Sequence, residues 1–419
     1  MNGIPVGVAV EDATPGWPVR MSGFAARSEP STGVHDPISV RALAVGDTCV
    51  VAADVVGVDD RMSERIRAEA PFDSDRMVVT ATHTHGGPAV MTGRLGAVDD
   101  KAADLVVRAG VRAAIRARQR QRPATLEFAD AGALPIATDR RRGGHPDAAR
   151  LRALRWTATS GETIATIASY PCHPVVLGAD NRQLTADYPA ALRAQLEAAS
   201  GAPVLFLTGC AGDINTGHLA TASYATAPTA SRTFVEAERI GGELARAVAD
   251  ADWRRVPVTG RAKAAIERIS LQLRTVDELS PAELAQRWRA ELVDATPGQA
   301  AVLRTWIDWS GRPGAGRAGV WNGRVTAFGW GGVSLVFLPG EPFLTTGTAI
   351  EKASAAHGCI VAGYADDCPG YLPTADAYDS GGYEIDAAHR YYGMPAPFAR
   401  GSAEIVAAVA TRLLRRIEG

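Results

Sequence analysis

Residues 77–88 have the sequence MVVTATHTHGGP, in which a short apolar run leads into two histidines and a glycine-rich turn. The apolar run predicts a buried strand, and the alternation of side chains along a strand places His83 and His85 on one face. Gly86 and Gly87, followed by proline, end the strand and permit a sharp turn. Paired imidazoles at a strand end are suited to bind a divalent metal, but hydrogen-bonded histidines in a turn have the same pattern. The stretch alone leaves both interpretations open.

The composition is that of a globular protein: among 419 residues, 46% are hydrophobic and 21% are charged. The net charge of −2 gives no drive toward nucleic acid or anionic membranes, and no apolar run is long enough to predict a membrane span. The five cysteines are scattered, which favours reduced thiols, and no secretory signal is visible. We therefore predict a cytoplasmic protein that binds no nucleic acid and does not insert into membranes. The composition is compatible with a homo-oligomer as well as with a monomer.

Apolar runs typical of strands alternate with amphipathic segments typical of helices along the chain. The predicted strands lie at 49–53, 77–80, 163–168, 204–207, 333–338 and 359–362, and the predicted helices at 99–121, 187–198, 236–251 and 343–356. This alternation predicts an α/β fold, with mixed β-sheets flanked by helices, in a single domain over residues 1–419. Residues 280–310 are predicted to form a helical insert within it, and residues 215–230 a long loop.

Polar residues suited to chemistry follow several of the predicted strands. They are His173, Asp213, Asn215, Glu341 and the loop at 366–374. Because ligands in open α/β sheets bind beyond the carboxyl ends of the strands, we expect these segments to gather at one edge. Two neutral imidazoles and one carboxylate are a common ligand set for a hydrolytic zinc ion. Each segment alone also fits a structural role, such as Glu341 as an acid at a helix N-terminus.

Taken together, the motifs resemble those of the neutral (non-lysosomal) ceramidase family, in the same order over nearly the whole chain. The matching segments are GVAVEDATP at 7–15, GVHDP at 33–37, ATHTHGGP at 81–88, GDIN at 212–215, PGE at 339–341 and YLPT at 371–374, with Tyr378, Tyr383 and Glu384 beyond it. The resemblance implies a neutral-ceramidase-like catalytic domain that hydrolyses an amide (N-acyl) bond with one Zn²⁺ per chain.

The resemblance also implies roles for individual residues. The expected zinc ligands are His83, His173, Glu341 and Tyr371. The residues expected around the scissile bond are His85, Tyr383 and Arg140, for which Arg141 is an equal match. Asp213 and Asn215 are expected to shape the pocket or bind polar groups of the substrate, unless they serve only in a turn. His35 is expected to lie near the site, where it contacts substrate or caps a turn.

The chain departs from the family pattern in three ways. Asn215 stands where the family has a serine, which favours attack by a zinc-bound water. We expect no C-terminal immunoglobulin-like domain and no secretion signal, so that a soluble small-molecule amide is a better substrate than ceramide. Two alternatives stay open, a zinc-dependent esterase or lactonase and a non-catalytic ligand-binding protein of the same fold. A phosphoesterase is disfavoured because two-metal sites need more carboxylates.

Overall fold

Two β-sheets packed face to face organise the protein in a computed structural model that describes residues 3–218, 225–258 and 261–419. The strands are β1 (Ile4–Asp12), β2 (Gly33–Val34), β3 (Ser39–Val45), β4 (Thr48–Ala53), β5 (Met77–Ala81), β6 (Arg122–Ala133), β7 (Thr138–Asp139), β8 (Arg150–Ala158), β9 (Thr163–Tyr170), β10 (Gln183–Leu184), β11 (Val204–Thr208), β12 (Ile214–Asn215), β13 (Arg254–Val256), β14 (Lys263–Leu273), β15 (Gly319–Gly329), β16 (Val333–Phe337), β17 (Glu341–Pro342), β18 (Gly358–Ala362) and β19 (Tyr371–Leu372). The helices are α1 (Asp60–Glu69), α2 (Asp100–Gln119), α3 (Tyr188–Ser200), α4 (Phe234–Ala249), α5 (Pro281–Glu291), α6 (Pro297–Ser310), α7 (Leu344–Ala353), α8 (Ala388–Tyr391) and α9 (Ser402–Glu418).

The larger sheet has the strand order β11-β9-β8-β6-β1-β3-β4-β5, with β13 paired to β6. Its β4–β5 and β9–β11 pairs are parallel, and its other pairs are antiparallel. The smaller sheet has the order β14-β15-β16-β18, and its β16–β18 pair is parallel. The prediction of an α/β fold with mixed sheets flanked by helices is confirmed.

Apolar side chains from both sheets share one core between them. Trp156 of β8 and Trp330, which follows β15, are fully buried there with their ring centres 5.5 Å apart. Helix α2 covers the outer face of the larger sheet against β1 and β3, and α9 covers the outer face of the smaller sheet. Both helices bury one apolar stripe, as an amphipathic helix on a sheet must. The result is a helix–sheet–sheet–helix stack.

The predicted site segments all follow strands at their carboxyl ends. These strands are β5, β9 and β11 in the larger sheet, and β16 and β18 in the smaller one. Two isolated bridges, Thr80 to Ala365 and Gly209 to Ala362, connect the sheets at this end. The fold therefore brings together segments that are distant in the sequence.

Residues 280–310, the predicted insert, contain the helices α5 and α6, which pack on each other. Ser280 and Thr296 begin these helices with reciprocal capping boxes, and the rings of Trp288 and Trp306 lie 5.4 Å apart between them. The predicted loop at 215–230 includes residues 219–224, which lie outside the described residues. In the described ranges, no helix combines the length and hydrophobicity needed to cross a bilayer.

Candidate metal centre

Three residues from different strand ends converge in the buried region where the two sheets meet. The Nε2 atom of His173 lies 2.8 Å from Oε2 of Glu341, and the Nε2 atom of His83 lies 3.3 Å from the same oxygen. All three side chains are at most 1% exposed. Three residues predicted as metal ligands therefore meet at one point.

Backbone carbonyls fix the tautomers of both histidines. The Nδ1 atom of His83 faces the carbonyl oxygen of Val56, and Nδ1 of His173 lies 2.7 Å from the carbonyl oxygen of Ala211. Since a carbonyl can only accept a hydrogen bond, each neutral ring carries its hydrogen on Nδ1 and presents a lone pair at Nε2. Backbone hydrogen bonds of this kind commonly orient metal-binding imidazoles.

The charge states follow from burial and from mutual contact. Burial lowers the pKa of His173 to about 4, so this ring is neutral near pH 7. Burial also opposes ionisation of Glu341, but the imidazoles of His83 and His173 hold the pKa of its carboxyl well below the usual range. With both rings neutral, two nitrogen lone pairs and a carboxylate oxygen would converge as acceptors. A divalent cation would satisfy all three, so the residues present fit a zinc ion.

His85 adds a third imidazole beside this group. Its ring centre lies 5.1 Å from that of His83 and 6.1 Å from that of His173, and a ligand atom from each histidine lies within 4.8 Å of the others. Neither ring nitrogen of His85 has a hydrogen-bond partner among the described residues. Burial and the neighbouring imidazoles lower the pKa of His85 well below the usual value. The three histidines could themselves hold a metal ion.

The loop at residues 22–27 packs His85 from the side. Gly23 has a φ of 103°, and a Cβ there would lie 2.5 Å from the His85 ring. The Phe24 ring meets the His85 ring edge-on with centres 4.9 Å apart. Arg27, buried, donates a hydrogen bond of 2.8 Å to the carbonyl oxygen of His85. Packing against this loop, together with the backbone contact, therefore positions the ring.

Two tyrosines contact the same region. The short parallel pair β17–β19 sets the backbone of Tyr371, the predicted fourth ligand, beside that of Glu341. Burial raises the pKa of the Tyr371 hydroxyl, and Arg140 opposes this effect. Tyr392, which the sequence analysis missed, donates its hydroxyl hydrogen to Oε1 of Glu341. It follows a short helix and has no motif or spacing that would have singled it out.

Of the two adjacent arginines, the structure places Arg140 at the pocket that adjoins the histidines. Its guanidinium carbon lies 5.3 Å from the ring centre of Tyr371, and its Nε lies 2.9 Å from Oε1 of Glu384. Arg141 pairs with the other oxygen of Glu384, at 2.7 Å, and lines a neighbouring depression. The Tyr383 ring lies 5.9 Å from that of Tyr371. Arg140 and Tyr383 therefore share the pocket with Tyr371.

The structure places the three predicted substrate-binding residues differently. Asn215 lines the pocket, and its side chain also accepts hydrogen bonds from two backbone N–H groups of the following turn. The carboxylate of Asp213 accepts a 2.8 Å hydrogen bond from the backbone N–H of Leu344, which begins α7. His35 is not brought to the pocket, because its ring stacks on Phe234 at 3.7 Å.

The pocket beside the histidines is open to solvent, and the space free of protein atoms within it and at its mouth is about 870 Å³. It is lined by His85, Arg140 and Tyr383, which were predicted to lie around the scissile bond, and by Val302 and Trp306 of α6. Among the described lining residues, the ionisable side chains are histidines, tyrosines and arginines, with no aspartate or glutamate. A concave pocket with apolar and aromatic walls and a few polar groups is typical of small-molecule sites.

Comparison with known proteins gives a match in structure only. No protein-family model matches the chain, and no curated protein matches it by sequence. A solved structure of neutral ceramidase from Pseudomonas aeruginosa matches with a TM-score of 0.76 and 16% identity, over 100% of this chain and 75% of that one. A ceramidase structure described as complexed with C2 matches with a TM-score of 0.76 and 15% identity, over 100% and 76%. The chain therefore has the fold of the neutral ceramidases.

Proposed function

We propose that this protein is a zinc-dependent hydrolase that cleaves an amide bond in a small molecule. The observation that carries the proposal is the convergence of His83, His173 and Glu341, in which the buried Nε2 atoms of the two rings lie 3.3 and 2.8 Å from one carboxylate oxygen. The adjoining pocket and the shared fold with neutral ceramidases support it. His83, His173 and Glu341 would hold the ion, with Tyr371 as a fourth ligand.

The metal, when bound, would polarise the scissile carbonyl and lower the pKa of a water to about 7. Beside it, His85 presents ring nitrogens that have no hydrogen-bond partner in the described part of the chain, so it can take a proton from the attacking water and pass it to the leaving amine. Tyr383 and Arg140 line the same pocket, where they can donate hydrogen bonds to the oxygen on which negative charge develops. Losing one such donor typically costs about 10²–10³ in rate.

The lining of the pocket limits the class of substrate. Because it contains arginines and no carboxylate among the described residues, a neutral or anionic amide suits it better than a cationic one. An ester or lactone could meet the same groups, since the chemistry at the carbonyl carbon is shared. Matched amides and esters of one acid, compared by kcat/KM, separate the amidase from the esterase.

The first test is metal content of the purified protein by elemental analysis. We expect about one zinc per chain, lost in His83→Ala, because this variant removes one of three converging ligands. His357→Ala is the matched control, since His357 is exposed and away from the cluster, and it should keep its zinc. Absence of stoichiometric zinc, with none taken up from solution, would contradict the proposal and favour a non-catalytic binding protein.

A further inference from the structure

One wall of the pocket comes from the α5–α6 insert. Val302, Thr305 and Trp306 of α6 line the same pocket as His85 and Arg140. Val302 and Trp306, one turn apart on α6, also border an open surface depression that is lined by the connection between α5 and α6. Side chains on this face of α6 therefore limit how far the pocket extends.

Helix α6 is fixed by a cluster around Arg390. The guanidinium carbon of Arg390 lies between 5.1 and 5.6 Å from the ring centres of Trp288, Trp306 and Trp309. The same guanidinium pairs with the carboxylate of Asp277 at 2.9 Å. Stacking of a cation on several aromatic rings, added to a charged hydrogen bond, holds the helix firmly. The size of the pocket is thus preset by this cluster.

Apolar and aromatic side chains continue the wall from Trp306. Leu95 and Tyr391 line the pocket, and the backbone N–H of Leu95 donates to the carbonyl oxygen of Tyr391 at 3.0 Å. Tyr391 directly follows Arg390, so the cluster that holds α6 also holds this residue. Flat side chains in a rigid wall favour a compact ligand group over a long flexible one.

We propose that Val302, Trp306, Leu95 and Tyr391 form an acyl subsite that selects compact aromatic or branched acyl groups and disfavours long alkyl chains. The proposal rests on the proposed amide hydrolase, because it places the acyl side of the scissile bond against Trp306. Trp306 acts as a specificity-determining residue, since its indole both faces the pocket and packs on Arg390.

The kinetic test compares 4-nitroanilides of acetate, phenylacetate and hexadecanoate with the zinc-loaded protein. We expect kcat/KM to be highest for the phenylacetyl compound and to fall about tenfold or more in Trp306→Ala, with a smaller loss in Trp306→Phe. Val302→Phe narrows the pocket at this wall and leaves the Arg390 cluster intact. It should slow cleavage of the phenylacetyl anilide while cleavage of the acetyl anilide persists. Arg304→Ala, on the exposed side of α6, is the matched control.

A binding test separates the subsite from the reaction. We expect calorimetry with phenylacetate to give a Kd about tenfold higher in Trp306→Ala than in the wild type, with zinc content unchanged. Weaker binding in the variant, with no anilide cleaved by any form, would support the subsite while the hydrolase proposal fails. Cleavage with a preference for the hexadecanoyl compound, or an unchanged selectivity and Kd in both Trp306→Ala and Val302→Phe, would overturn the subsite.

Discussion

The hydroxyl of Tyr392 should strengthen metal binding, although it would not itself be a ligand. It donates to Oε1 of Glu341, the oxygen that does not face the two histidines, and both groups are buried. A buried hydrogen bond to a charged group contributes about 1.5–3 kcal/mol. At about 1.4 kcal/mol per tenfold change, Tyr392→Phe should weaken zinc affinity by about 10- to 100-fold, the range found for partners that orient metal ligands.

The assay for this prediction is competition for zinc with a chromophoric chelator at constant pH and ionic strength. Tyr391→Phe is the matched control, because Tyr391 is the adjacent tyrosine and lines the pocket without a hydrogen bond to Glu341. Its zinc affinity should stay within about twofold of the wild type. This change is much smaller than the 10- to 100-fold loss expected when a residue that orients a metal ligand is removed. Equal zinc affinities in Tyr392→Phe and the wild type, with both proteins folded, would refute the argument.

Three further outcomes are expected. Gly23→Ala should lower kcat/KM about 100-fold with zinc retained, since its Cβ would lie 2.5 Å from the ring of His85; full activity in this variant would contradict the assigned role of that ring. Removing zinc should lower the Tm, and zinc at about 1,000 times its Kd should restore about 4 kcal/mol of stability in the wild type but not in His83→Ala, as measured by thermal unfolding. Although burial opposes it, the buried pair with Arg193 lowers the pKa of Asp54. The unfolded state therefore binds more protons at Asp54 than the folded state does. The stability that the Asp54 carboxylate gives the folded state is complete above the unfolded pKa of about 3.9 and is lost as the pH falls through the folded pKa. The free energy of unfolding, measured with urea across this pH range, should show this Asp54-dependent loss in the wild type and lack it in Asp54→Asn.

The sequence predicted several strands whose two faces are both buried, but it missed β3, which is equally buried and whose apolar run is interrupted by Arg41. β4, β5 and β11 are continuous apolar runs, which is what a fully buried strand requires. β8 was missed because arginines interrupt it. The structure neutralises these charges by pairing across strands, as Arg155 does with Glu127 of β6 at 2.9 Å. Such pairing depends on strand order, which local patterns do not contain.

The candidate site was predictable where residue type and a strand end coincide. His83, His173 and Glu341 meet that condition, and the fold brings them together. Tyr392 has no such signal, because its role arises from where α8 places it after the chain has folded. His35 lies in a short motif but stacks on the surface of α4, a contact that motif spacing cannot reveal.

The two sheets contribute separately to the proposed ligand set, with His83 and His173 from one and Glu341 from the other. His173 and Glu341 are 168 residues apart along the chain, so the proposed set of His83, His173 and Glu341 is complete only when the two sheets have docked. Zinc would then cross-link two layers that must already have docked, and its capture would follow folding. A nascent or partly unfolded chain would compete poorly for cellular zinc, and metal occupancy would mark the molecules whose assembly is finished.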